Sequence, residues 1–163
     1  MCGISGVISL NRTPLSGLDR RLEAMNTLLA HRGPDGQGLW TQAQGLLGLA
    51  HRRLSIIDLD GGQQPMADHG EGAAMPNWLT YNVGIQPCYS TVEDGTLNFA
   101  SESKALLPFV PSPTVSLEGF QDYLTFQLCL AGKTLFEGIY ELLPGHTLTV
   151  KDGQIETRRY WEV

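Results

Sequence analysis

The sequence predicts an α+β fold in which short strands outnumber helices. Short apolar runs rich in β-branched residues recur along the chain, from Gly3 to Leu10 at its beginning to a hairpin pattern around Asp152-Gly153 near its end. Only two segments, 18–30 and 117–130, repeat apolar residues at helical spacing. A chain of 163 residues suits one domain with one hydrophobic core.

Local patterns place the other elements in order. The first strand ends at the turn residues Asn11 to Pro14, and the helix 18–30 follows. The stretch His31 to Gly38 is dense in glycine and proline, which predicts a loop. Further strands or extended segments are predicted at 39–41, 45–50, 54–59, 78–81 and 96–100.

The bulk properties exclude several classes of function. A net charge of -6 without any basic run argues against nucleic acid or an anionic membrane as a partner. No apolar stretch approaches the length of about 18 residues that a spanning helix needs, and no signal peptide is recognisable, so a cytoplasmic protein is expected. Three cysteines and four histidines without metal-ligand spacing predict reduced thiols and no metal site.

Cys2 is the residue best suited to act as a catalytic nucleophile. If Met1 is removed, Cys2 carries both a thiol and a free α-amino group, and an α-amino group with a pKa of about 7.7–8.0 is a suitable base for activating that thiol. A strand that begins at Gly3 would hold this terminus in a sheet. On position alone, a chance cysteine in a frayed terminus is the more common explanation.

Several motifs in order resemble one family. They are "MCGISGVISL", "AHRGPDGQG", "LAHRRLSIIDLDGGQQPM", "GTLNFASESKALLPF" and "LFEGIYELLPGHTLTVKDGQIETRRYWEV". Together they are similar to the N-terminal glutaminase domain of asparagine synthetase, a class II, N-terminal-nucleophile glutamine amidotransferase. This resemblance implies an incomplete αββα sandwich of the N-terminal-nucleophile type. It also implies a truncated amidotransferase domain at 1–107 and, because three prolines fall within 108–113, a linker at 108–163 that leads toward an absent synthetase domain.

The resemblance also assigns roles to residues. Cys2 would attack the side-chain amide of glutamine, form a thioester and release ammonia for asparagine synthesis. Arg53 would hold the substrate α-carboxylate in a two-pronged contact. The pocket would be lined by Leu54, Ile56 and Ile57, which considered alone are only part of a buried strand.

Three residues of the loop, Arg32, Gly33 and Asp35, would lie near the nucleophile. Their roles have two explanations of equal weight. The first is a direct contribution to the site, as in the family. The second is an ordinary turn that the Asp35 side chain stabilises.

The chain departs from the family pattern after Asn82. Asn82 matches the first residue of the family's oxyanion-hole motif, but Val83 replaces the glycine that should follow, and "VGIQPCY" resembles a much later family segment. A large internal deletion is therefore predicted. It would remove one oxyanion donor and the carboxylate that binds the substrate amino group, and losing such a donor costs about 100- to 1,000-fold in rate.

These departures leave alternatives open. The chain is either a glutaminase that binds glutamine, or a non-catalytic remnant or regulatory module, or a truncated product without independent function. No cofactor is expected within it, since ATP and magnesium would belong to the synthetase domain. A synthetase domain or a second copy of the chain is the expected protein partner.

Overall fold

The computed structural model describes residues 1–55, the backbone of the strand at 77–80, and residues 87–162. It contains two helices, α1 (Leu18–Leu28) and α2 (Leu117–Phe126), and short 3-10 turns at 30–32, 103–105 and 107–109. Neither helix is long and apolar enough to cross a membrane. The nine strands are β1 (Gly3–Ser9), β2 (Gly36–Thr41), β3 (Leu47–Arg53), β4 (Asn77–Thr80), β5 (Tyr89–Glu93), β6 (Thr96–Ala100), β7 (Tyr140–Glu141), β8 (His146–Lys151) and β9 (Gln154–Arg159). The predicted α+β class is confirmed.

The larger sheet has six strands in the order β2-β3-β1-β6-β5-β7, and all of its neighbours are antiparallel. β1 therefore lies inside the sheet, where Gly3 pairs with Arg52 of β3 and Ser5 pairs with Ala100 of β6. Hydrogen-bonded neighbours on both sides hold the beginning of the chain. The strand predicted at 45–50 is observed as β3, which begins at Leu47 and continues to Arg53. Leu54, predicted to begin another strand, instead follows the end of β3.

Helix α1 covers one face of the six-stranded sheet. Its fully buried Leu22 and Met25 pack in a core cluster with Val7 of β1 and Ala50 of β3. The close approach requires a small residue in the sheet, because a methyl group added to Gly48 would lie 2.6 Å from Leu22 Cδ1. The helical spacing of apolar residues in the sequence is thus matched by one continuous contact surface.

The second sheet covers the opposite face. Its strand order is β4-β8-β9, and Leu148 and Val150 of β8 pack in a second core cluster with Ile8, Leu97 and Phe99 of the six-stranded sheet. Adjacent residues of β1 explain this layering, because Val7 faces the helix while Ile8 faces the second sheet. The layers are therefore helix, sheet and sheet.

Residues beyond 107 take part in the same cores. β7 pairs with β5 through Tyr140 and Ser90, and the buried Ile139 belongs to the cluster under α1. Leu148 belongs to the cluster between the two sheets. The division of the chain into a domain at 1–107 and a linker at 108–163 stays a prediction, and the structure adds that residues on both sides of position 107 share core clusters.

Helix α2 presents its apolar residues to solvent. Its inner side makes polar contacts, in which the Leu130 N–H donates to Asp122 Oδ2 at 3.0 Å and the Cys129 thiol donates to the Gly119 carbonyl at 3.4 Å. Leu117 and Leu124 are 80% and 68% exposed. Only Gly119 of this helix is buried, so its apolar residues are exposed together with its polar ones.

Replacing Leu22 by alanine tests the core under α1. Leu22 is fully buried, so Leu22→Ala should lower the free energy of unfolding by about 2–5 kcal/mol. Leu117→Ala is the matched control, because Leu117 is exposed, and should change it by no more than about 0.5 kcal/mol. Urea denaturation followed by circular dichroism measures both, and equal losses would contradict this description of the core.

Candidate active site

The thiol of Cys2 lies against the segment that follows β3. Cys2 is half-buried and directly precedes β1. The backbone N–H of Leu54 donates a hydrogen bond to Cys2 Sγ at 3.4 Å, and the thiol can donate to the Leu54 carbonyl oxygen at 3.7 Å. Two residues separated by 52 positions in sequence are therefore in contact.

Sheet register produces this contact. Because Gly3 pairs with Arg52, the residues just before β1 and just after β3 meet at the same end of the sheet. Arg53 is the last residue of β3, is half-buried and precedes Leu54. The structure thus brings Cys2 and Leu54 into contact beside Arg53. Three other predicted site residues, Ile56, Ile57 and Asn82, lie outside the described residues.

The loop before β2 forms hydrogen bonds with the segment that follows β3. The Asp35 N–H donates to the Arg53 carbonyl oxygen at 3.0 Å, and Asp35 Oδ2 accepts a hydrogen bond from the Ser55 N–H at 2.7 Å. Asp35 therefore bonds to the backbone on both sides of Leu54. Both explanations given for this residue stay open, since the segment that Asp35 supports is the one that contacts the thiol.

Gly33 allows the loop to approach β3. A methyl group added at Gly33 would overlap the backbone of Arg52 and lie 2.5 Å from the Arg53 nitrogen. Its φ of -148° is ordinary extended backbone, so the requirement for glycine here is one of space.

Arg32 reaches the main chain of Cys2. Its Nε donates to the Cys2 carbonyl oxygen at 3.1 Å, and its Nη1 donates to Glu102 Oε1 at 3.0 Å. The side chain is 12% exposed. Arg32 therefore links the residue that bears the thiol to an acid that follows β6, the strand next to β1.

Glu102 is a member of this site that the sequence analysis missed. It also contacts His31 Nε2 at 2.8 Å and Lys104 Nζ at 3.2 Å. Burial by itself would raise the pKa of Glu102, but hydrogen bonds from Arg32, His31 and Lys104 outweigh it and hold this pKa below its usual value. The signal in the sequence was its place in the motif "GTLNFASESKALLPF", which carries part of the family resemblance but gave Glu102 no role.

Ser101 explains why Glu102 lies here. Its N–H donates to the Ile4 carbonyl oxygen at 2.9 Å, and its Oγ accepts from the Ile4 N–H at 3.0 Å. The pairing of β1 and β6 is therefore continued by one more residue, and Glu102 follows next to the beginning of β1.

A cavity of about 350 Å³ adjoins this cluster. Its lining includes Arg32, Tyr89, Ser101, Glu102 and Lys104. The ion pair between Arg32 and Glu102 is therefore accessible from this side.

Two other titratable groups, His51 and Cys88, have pKa values that burial shifts. Burial, together with the positive charge of Arg53, lowers the pKa of His51, which favours its neutral form. Burial, assisted by Glu141, raises the pKa of the Cys88 thiol to about 12, which leaves it unreactive in the folded chain. The described part of the chain contains no group of three His, Cys, Asp or Glu side chains that could hold a metal ion.

The sequence model of the glutamine amidotransferase domain matches residues 1–83 and 79–161. The chain belongs to the glutamine amidotransferase domain family. The two matches cover nearly all of the chain, including Cys2, Arg53 and Glu102.

Curated relatives agree with this family. Asparagine synthetase (glutamine-hydrolysing) 1 of Bacillus subtilis is 25% identical over 228 residues, which cover 99% of this chain and 35% of that protein. Amidase chry2 of Gibberella zeae is 27% identical over 234 residues, with 100% and 34% covered. Asparagine synthetase B of Escherichia coli is 38% identical over 66 residues, with 40% and 11% covered. The chain spans about a third of the length of the first two relatives.

The same comparisons bear out the internal deletion. The two matched segments of the chain overlap at residues 79–83, which include Asn82 and Val83. The alignment with amidase chry2 extends over 234 positions, although it contains all 163 residues of the chain. That relative therefore holds a segment that has no counterpart here.

Replacing Gly33 by alanine tests the fit of the loop against β3. Gly33→Ala should lower the free energy of unfolding by about 1–3 kcal/mol, because backbone atoms must move to admit the methyl group. Gly36→Ala is the matched control, since its methyl group would meet Arg53 Cβ at an ordinary 3.5 Å. Thermal and urea unfolding measure both variants. Indistinguishable losses would show that Gly33 is not needed for space.

Acid should weaken the contribution of Glu102. A carboxyl group whose pKa is lowered by folding stabilises the protein above its unfolded pKa of about 4.3, and this contribution is lost as the pH falls through the lower folded value. The wild-type chain should therefore be more stable than Glu102→Gln at neutral pH, by a difference that shrinks as the pH falls below about 4.3. Urea midpoints measured across this range test the expectation, and a constant difference would contradict it.

Proposed function

We propose that this chain is a glutaminase of the asparagine synthetase type, which hydrolyses glutamine to glutamate and ammonia through a thioester on Cys2. The observation that carries the proposal is the contact between Cys2 Sγ and the Leu54 N–H at 3.4 Å, beside Arg53. A nucleophile and a carboxylate-binding residue must both reach one glutamine molecule. The family match and the two glutamine-hydrolysing relatives support the choice of substrate.

The reaction uses few groups of the chain. The Cys2 sulfur attacks the side-chain amide carbon of glutamine, the amide nitrogen leaves as ammonia after it gains a proton, and a thioester forms. Water then attacks the thioester, which releases glutamate and restores the thiol. Arg53 holds the α-carboxylate of the substrate through its planar guanidinium group, a contact that lysine cannot reproduce.

Activation of the thiol requires removal of Met1. With Met1 present the nitrogen of Cys2 is part of a peptide bond, whereas its removal frees an α-amino group that can accept the thiol proton. The Leu54 N–H then helps to orient the sulfur by donating a hydrogen bond to it. Asn82 keeps its proposed role as an oxyanion donor.

The layered fold supports an N-terminal-nucleophile sandwich. One helix layer and two stacked antiparallel sheets lie in the expected order, and the nucleophile precedes an inner strand of the larger sheet. A second helix layer on the outer face of the smaller sheet would complete an αββα arrangement. The segment that relatives hold and this chain lacks is the proposed source of that layer.

Partners other than glutamine are part of the proposal. Ammonia would serve a synthetase domain that binds ATP and magnesium outside these residues, in a cytoplasmic setting. The exposed apolar residues of α2 offer a surface that suits such a domain or a second copy of the chain.

A second candidate function is a non-catalytic remnant or regulatory module that binds glutamine weakly. The observation that favours it is the missing segment after Asn82. Loss of an oxyanion donor and of amino-group recognition would slow turnover by about 100-fold or more while the thiol and Arg53 remain.

Covalent labelling distinguishes the two functions. The diazoketone analogue of glutamine alkylates the nucleophile of a glutaminase, so the chain without Met1 should gain one adduct by intact mass, located on Cys2. Arg53→Lys should slow labelling by about tenfold or more, because the two-pronged carboxylate contact is lost. Cys2→Ala should gain no adduct.

Arg52→Lys serves as the matched control for Arg53→Lys, because the Arg52 side chain instead bonds to the Asn26 carbonyl oxygen. Labelling that is slowed equally by both variants would overturn the role of Arg53. A wild-type chain that stays unlabelled while a full-length family member reacts would favour the remnant.

A further inference from the structure

Glu102 is placed to act on the nucleophile without touching it. It accepts a hydrogen bond from Arg32, and Arg32 donates another to the Cys2 carbonyl oxygen. We propose that Glu102 is a positioning residue, which orients Arg32 so that Arg32 fixes the main chain of Cys2. The inference rests on the proposed function, because it assigns Glu102 a part in a reaction at Cys2.

Cys2 needs a restraint of this kind. The strand begins only at Gly3, so the residue that bears the thiol lies just beyond the regular ladder. Its sulfur is held by the Leu54 N–H at 3.4 Å, and sulfur is a weak acceptor. The bond from Arg32 Nε to the carbonyl oxygen, at 3.1 Å, is the stronger tether.

Arg32 in turn needs an anchor. An arginine side chain has many rotamers, and a guanidinium group is well oriented only when its far end is bonded as well. Glu102 supplies this bond at 3.0 Å and carries the opposite charge. Because Ser101 is bonded to Ile4 through both its N–H and its Oγ, Glu102 itself is held relative to β1.

The pair of Arg32 and Glu102 is mostly buried, with side chains that are 12% and 24% exposed. Both residues line the cavity of about 350 Å³, so water reaches one side of the pair. Loss of Glu102 should therefore lower stability as well as the reactivity of Cys2, and the two effects need separate measurements.

The test compares three substitutions in the full chain without Met1. Glu102→Leu removes both acceptor oxygens, Glu102→Gln keeps one of them, and Lys104→Met removes another partner of Glu102 without affecting Arg32 directly. Peptide mass mapping follows alkylation of Cys2 by the diazoketone analogue of glutamine and by iodoacetamide. Cys88, which is buried, reports unfolding because only an opened chain exposes it to iodoacetamide.

Glu102→Leu should slow diazoketone alkylation of Cys2 by about tenfold, since small displacements of a reacting group are costly. Glu102→Gln should lie between this variant and wild type, and Lys104→Met should stay within about twofold of wild type. Iodoacetamide, which needs no bound orientation, should alkylate Cys2 at rates within about twofold throughout. Cys88 should remain unmodified.

Several results would overturn the inference. Equal slowing by Glu102→Leu and Lys104→Met would indicate a general charge effect. Modification of Cys88 would indicate that the variant unfolds. An unchanged diazoketone rate in Glu102→Leu would show that Arg32 needs no anchor.

Amide hydrogen exchange separates this inference from the proposed function. The Leu54 N–H is bonded to Cys2 Sγ, so its exchange should be about tenfold faster in Glu102→Leu but unchanged in Lys104→Met. If the wild-type chain is not labelled by the diazoketone, the glutaminase proposal fails and exchange alone decides on Glu102. Faster exchange confined to the Glu102 variants would then support positioning of Cys2, and unchanged exchange would overturn it.

Discussion

The antiparallel pairing of β1 with β3 is the interaction on which the rest of this structure depends. It places Gly3 opposite Arg52, and so it brings the beginning of the chain to the end of β3. The same register directs Val7 toward α1 and Ile8 toward the second sheet. A shift by one residue would exchange these faces and move Leu54 away from the thiol.

Glycine makes this pairing compatible with close packing on both faces. Gly48 leaves room for Leu22 of the helix on one face of the sheet, and Gly6 leaves room for the ring of Phe99 on the other face. A methyl group added to Gly6 would also lie 2.9 Å from the Gly48 oxygen. Gly33 admits the loop against β3 in the same way. The absence of a side chain at Gly33 thus lets the loop lie close to the end of β3. The Cys2 sulfur, at the same end, contacts main-chain atoms of Leu54.

Charged side chains add to the main-chain contacts of Cys2. The thiol is contacted by a backbone N–H, whereas the carbonyl oxygen of Cys2 is contacted by Arg32, whose charge Glu102 balances. This arrangement holds Cys2 from two directions and leaves one side of the ion pair open to a cavity. Cys88, buried in the core between the sheets, shows by contrast how burial, assisted by the charge of Glu141, keeps a thiol protonated.

The sequence by itself determined the α+β class, the family and the interruption near Asn82, and it predicted a role for Cys2, because apolar periodicity, turn residues and ordered motifs are local properties of the chain. It did not determine the contacts of Glu102, nor the strand end at Arg53 that lets the Leu54 N–H meet the thiol. These depend on pairing between β1, β3 and β6, that is, between residues about 50 and 100 positions apart. Contacts across such distances arise only when the sheet is assembled, so only the tertiary structure decided which side chains surround Cys2.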